Sequence, residues 1–78
     1  MRERIELVFL GVFEPASFAE FMRHRARRLS VSAETRRLGA DRVEVTVEGE
    51  GALVDMFEVA CSLGPLDCLV TDVSRRAA

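Results

Sequence analysis

Arg42-Val-Glu-Val-Thr-Val-Glu48 alternates strictly between valine and a charged or hydroxyl residue. Successive side chains of a strand point to opposite faces, so this run is a strand with one face toward a core and one toward water. Such a sheet needs a covering layer on one side only. Two segments are suited to supply it. Phe18, Phe21, Met22, Ala26 and Leu29 recur at helical spacing, and so do Leu53, Met56, Phe57, Ala60 and Leu63, the second run being stopped by Gly64-Pro65.

The other strands are read around these elements. Arg4 to Leu10 is apolar on both parities and is expected at the centre of the sheet. Val31 to Leu38 alternates weakly and precedes a turn at Gly39-Ala40-Asp41. Gly49 to Gly51 is expected to break the alternating strand, Leu69 to Val73 to form the last one, and Arg75 to Ala78 to fray. The order β-α-β-β-α-β predicts an α+β, ferredoxin-like sandwich: a four-stranded antiparallel sheet with two helices on one face. Residues 1–78 are expected to form a single domain with a modest core, since a chain of this size buries only about 60% of its unfolded surface.

Composition narrows the function classes. A net charge of −2 lacks the basic excess that nucleic acid requires. The fold also hosts RNA-recognition modules, but those stack bases on sheet aromatics, and this chain has no Trp or Tyr. No apolar run approaches the roughly 20 residues of a membrane span, and the charged start Met-Arg-Glu-Arg is not that of a signal peptide. Cys61 and Cys68 fit no metal spacing and no C-x-x-C carrier loop, and read as reduced core thiols of a cytoplasmic protein. All eleven cations are arginine, which leaves no lysine for chemistry. His24 stands without a Cys or His neighbour at metal spacing and reads as solvated helix surface.

The segment Gly11 to Met22 joins the first strand to the first helix. Ser17 followed by Glu20 has the S-x-x-E form of a capping box, which predicts a helix start at Ser17. A strand that feeds a loop and a helix N-terminus is a common anion site. Here Glu20 brings a negative charge to that turn and Pro15 removes an amide donor, so strong phosphate binding is not expected.

With Gly11, Phe18 and Phe21 on pattern, this segment resembles the acylphosphatase signature: glycine, any residue, valine, glutamine, glycine, valine, glycine, phenylalanine, arginine, then an aromatic two positions later. Val43-Glu-Val-Thr-Val-Glu-Gly49, Phe57 and Gly64-Pro65 follow at matching offsets, so the resemblance spans nearly the whole chain. It implies the same sandwich fold and a metal-free, cofactor-free hydrolysis of acyl phosphates. In that chemistry a loop arginine binds phosphate and a second-strand asparagine positions water. The departures fall on those two positions. Ala19 stands where the arginine is expected and Arg37 where the asparagine is, while Phe13, Glu14, Pro15 and Ser17 replace other loop residues. Alanine donates nothing, and arginine offers no lone pair with which to orient a water. Loss of positioned charge in phosphoryl transfer can lower the rate on the order of 10³-fold.

The resemblance therefore implies an acylphosphatase-like domain without the family's catalysis, serving as a protein-interaction or small-anion-binding module. Arg37, Arg23 and Ser17 are the candidate anion contacts. The expected partners are a second copy or another protein, through a sheet edge or the open face, or a phosphate-like anion, and neither nucleic acid nor membrane. The alternative is a weak or rearranged acylphosphatase acting through Arg37 or Arg23.

Overall fold

A computed structural model describes the whole chain, Met1–Ala78. The elements run β1 (Arg2–Val12), α1 (Pro15–Leu29), β2 (Ser32–Leu38), β3 (Arg42–Glu50), α2 (Gly51–Leu63) and β4 (Leu69–Ala77). The sheet order is β2-β3-β1-β4, and every neighbouring pair is antiparallel. This is the expected ferredoxin-like arrangement, with both helices on one face.

Burial follows the alternation. Val43, Val45 and Val47 of β3 and Leu7 and Phe9 of β1 are fully buried beneath the helices, which contribute Phe18, Met22 and Ala26 from α1 and Val54, Phe57 and Cys61 from α2. β1 lies between β3 and β4, as its double-sided apolar pattern predicts; Val8, on the face away from the helices, is only 4% exposed. β2 is the opposite case. It is an edge strand whose seven residues are all exposed, which accounts for its weak alternation.

Three boundaries differ from expectation. The residues expected to fray are paired: β4 continues to Ala77, which lies opposite Ile5 of β1. The polar end is held by its arginines, with Arg75 on Asp55 and Glu58 of α2 and Arg76 on Glu6 of β1. Gly49 does not end β3, which runs to Glu50; a Cβ at Gly49 would come within 2.8 Å of the Val31 side chain, so glycine here admits a close approach rather than a turn. The third difference is the start of α1, which lies at Pro15 rather than Ser17. Proline suits the first helical position because its fixed φ is helical and its missing N–H would have no intrahelical acceptor.

Gly11 is the tightest point of the sheet. The β1–β4 register shifts between Leu10 and Gly11, and a Cβ on Gly11 would lie 1.9 Å from the backbone oxygen of Leu69. Gly11→Ala is expected to destabilise the domain by at least about 1–3 kcal/mol, because backbone cannot give way as a side chain can. A thermal melt reads this as a fall in Tm of roughly 4–8 °C per kcal/mol; an unchanged Tm would mean that β1 and β4 are not held this close.

The two cysteines occupy different environments. Both are free thiols; Cys61 is fully buried in the core, and Cys68 is half-buried at its margin rather than within it. Burial pushes the Cys61 thiol up to about 12, and desolvation also raises Cys68. Since the thiolate is the nucleophile, Ellman's reagent at neutral pH should leave Cys61 unreacted in the native protein and modify Cys68 slowly, with both reacting in denaturant. Rapid reaction of both native thiols would contradict this packing.

Candidate functional site

The β1–α1 loop is fastened by aromatic side chains. Phe13 is buried and meets Phe18 edge to face with ring centroids 4.8 Å apart, and Phe18 meets Phe9 likewise at 5.5 Å. Phe13, in the place of a valine in the acylphosphatase signature, thus ties the loop to the sheet and to the first turn of α1.

The loop's amide donors are largely engaged. Gly11 N–H donates to the Asp41 carbonyl at 3.2 Å and Phe13 N–H to the Ala40 carbonyl at 2.8 Å, docking the loop on the β2–β3 turn. Glu14 N–H points at the Cys68 sulfur at 3.4 Å, and Pro15 has no N–H. Glu14 occupies the N-cap position, but its side chain makes no capping hydrogen bond.

The capping box does not form. Ser17 is the third helical residue, and its hydroxyl donates to Asp67 Oδ1 at 2.8 Å. Glu20 pairs with Arg23 instead of reaching back to the backbone. Asp67, on the α2–β4 connection, thereby brings a carboxylate to the positive end of α1, where the helix dipole favours negative charge. The first turn of α1 has no acidic residue of its own, so this carboxylate comes from Asp67, with Glu14 at the N-cap beside it.

Ala19 and Arg37 are not brought together. Ala19 lines a cavity of about 380 Å³ between α1 and β2, shared with Arg23, Arg27 and Thr35. In β2 the register with β3 shifts between Thr35 and Arg37: Thr35 lies opposite Val45, Arg37 opposite Glu44 and Leu38 opposite Val43. Two β2 residues thus oppose one on β3, a bulge that keeps Thr35 and Leu38 on the helix side and carries Arg37 to the other face. Arg36 follows it there, donating from Nε to Thr46 Oγ1 at 3.1 Å and pairing with Glu34. Of the three candidate anion contacts, Ser17 is bonded to Asp67, Arg23 to Glu20, and Arg37 lies across the sheet from both. His24 borders a shallow depression beside Ser17 and Glu20. No three His, Cys, Asp or Glu side chains assemble as metal ligands, and no helix is long and apolar enough to cross a membrane.

Two features of this site escape a reading of the residues in order. Asp67 reaches Ser17 from fifty positions away, and no local pattern announces it. The bulge did leave a trace: Ala33 and Leu38 sit on opposite parities, although both belong on the helix side.

The face opposite the helices is a lattice of charges. Arg2 and Arg4 pair with Glu48, Arg42 with Glu44, and Arg76 with Glu6 and Glu44. The Arg42 hydrogen bond holds the Glu44 carboxyl below its ordinary value of 4.5 against the opposing desolvation, with the charges of Arg42, Arg76 and Arg37 adding to it. A depressed carboxylate stabilises the fold above its ordinary pKa and loses that contribution as pH falls through the lowered value. Arg42→Ala is accordingly expected to return Glu44 toward 4.5 in a carboxyl NMR titration and to reduce the loss of stability on acidification; an unmoved Glu44 titration would refute the assignment.

No family model matches the chain, and no curated protein sequence does. Solved structures do. Acylphosphatase from Bacillus subtilis superposes with a TM-score of 0.85 at 22% identity, covering 97% of this chain and 83% of that one. Acylphosphatase from Coxiella burnetii superposes with a TM-score of 0.87 at 21% identity, covering 99% and 81%. Identity this low establishes architecture rather than activity, and the architecture agrees over nearly every residue: the chain is an acylphosphatase-like domain in fold.

Proposed function

We propose that this domain does not hydrolyse acyl phosphates and serves as a protein-interaction module. The observation that carries the reading is the state of the β1–α1 loop. Its Phe13 and Glu14 amides are taken, position 15 is proline, position 19 is alanine, and the Asp67 carboxylate sits on the first turn of α1. A phosphoryl group arriving there would meet carboxylates in place of a guanidinium, the reverse of the preorganised positive field that phosphoryl transfer requires. The exposed β2 edge and a row of apolar side chains on the outer side of α2 favour association instead. The free thiols suit a reducing compartment such as the cytoplasm.

A second reading rests on Arg27, which has no carboxylate partner and lines the Ala19 cavity beside Thr35. There it could hold a small anion without turning it over, or, with Arg23, support a slow rearranged hydrolysis.

Benzoyl phosphate hydrolysis separates these readings. The wild type is expected to run no faster than the spontaneous reaction. The double variant Ala19→Arg/Arg37→Asn is expected to remain silent as well, because the β2 bulge directs residue 37 to the face away from residue 19. Wild-type turnover that Arg23→Ala abolishes would establish a rearranged acylphosphatase. Saturable NMR shifts at Thr35 and Arg27 on addition of inorganic phosphate, without turnover, would favour the anion-binding module.

A further inference from the structure

α2 is apolar on nearly all sides. Asp55 and Glu58 are its only charged residues. Val54, Phe57 and Cys61 face the core, yet Met56, Val59 and Leu63 on the outer side are 54%, 62% and 79% exposed. A helix of this composition is ordinarily covered on both sides, whereas in the monomer only one side is. The uncovered residues recur at helical spacing and form a ridge along one wall of a groove of about 600 Å³, whose other wall is Phe21 and Arg25 of α1. Isolated apolar residues on a surface need no explanation; a continuous ridge beside a matching groove marks an interface.

The charges around the groove indicate what fits it. Arg25 lies over the Phe21 ring, 5.1 Å from its centroid, and has no carboxylate partner. Across the groove, the Asp55 carboxylate is bonded to Arg75 but its side chain is 64% exposed. One wall thus offers an unpaired cation and the other an accessible anion. A surface carrying both halves of a charge pair on either side of an apolar groove is complementary to itself under a two-fold rotation.

We propose that this face docks a second copy of the chain. The Met56–Val59–Leu63 ridge of each copy seats in the groove of the other, bringing Asp55 of each to Arg25 of the other. The inference rests on reading the domain as an interaction module and names its partner. Two helices about 20 Å long and about 10 Å apart present a patch on the order of 400 Å². That is about half of what each partner contributes to a standard interface, so the dimer should be weak.

Sedimentation equilibrium of the full chain, from about 5 μM to about 1 mM, covers the range over which a weak dimer dissociates. The wild type should shift from one to two chain masses. Val59→Glu, at an exposed position, should weaken association by at least about tenfold while leaving the far-ultraviolet circular dichroism unchanged. Arg25→Glu and Asp55→Arg should each weaken it, and the double exchange should recover most of the loss. A monomer at every concentration would overturn the proposal. So would a dimer insensitive to Val59→Glu, which would move the interface to the β2 edge, or a charge exchange without recovery. Benzoyl phosphate assays keep the two readings apart: a silent monomer sinks the dimer alone, and an active dimer sinks the non-catalytic reading alone.

Discussion

The edge-to-face contacts of Phe18 with Phe9 and Phe13 hold together the parts on which everything else depends. Phe9 belongs to β1, Phe18 to α1, and Phe13 to the loop between them. Once this trio closes, the exit of the central strand, the entry of the first helix and the intervening backbone cannot move independently. Aromatic pairs of this kind contribute about 0.5–1.5 kcal/mol beyond their area burial, and truncating a buried phenylalanine costs about 3–5 kcal/mol. Against a total stability of roughly 0.05–0.15 kcal/mol per residue, the loss of any one of the three would remove a large share of what holds a chain of this length folded.

That anchoring bears directly on the loop's chemistry. A phosphate cradle needs a backbone that curls with its N–H groups converging on open space. Here Phe13 is drawn into the core, its own N–H and that of Gly11 are satisfied by carbonyls of the β2–β3 turn, and Pro15 starts the helix early. Three donors of the loop, at Gly11, Phe13 and Glu14, are thus bonded within the fold. Asp67 then places a carboxylate on the helix terminus. The loop's groups at Gly11, Phe13, Glu14 and Ser17 thus serve the packing of the fold.

The two faces of the sandwich are organised differently. The sheet face away from the helices is a mesh of arginine and glutamate pairs, exposed and individually weak, whose combined effect is to fill that face with satisfied, mutually screened charge. It also secures the end of β4 against β1. The helical face carries the opposite character, with an apolar ridge on α2 and an unpaired arginine beside it. Association in water is driven mainly by apolar surface, which is why the proposed contact lies on the helices rather than on the charged face.

Much of this was legible in the order of residues because local periodicity carries it. The valines of β3, the double-sided apolar run of β1 and the two helical stripes fix which residues are strand and which are helix, and these suffice for the sandwich. The buried side was legible for β3 and α1, whereas α2, apolar nearly all round, buries Val54, Phe57 and Cys61 and leaves Met56 and Leu63 of its expected stripe exposed. The site was legible only in part. Pro15 declares from the sequence alone that one amide donor is absent from the loop, and Ala19 that its position carries no charged side chain. Tertiary structure decided the rest: that Ser17 bonds Asp67 rather than capping its own helix, that a bulge turns Arg37 away from Ala19, and that Arg75 and Arg76 hold the last strand instead of fraying. The division has a physical basis. Periodicity is a property of neighbours in the chain, whereas a hydrogen bond across fifty residues or a one-residue slip in register exists only after the backbone has brought distant segments together.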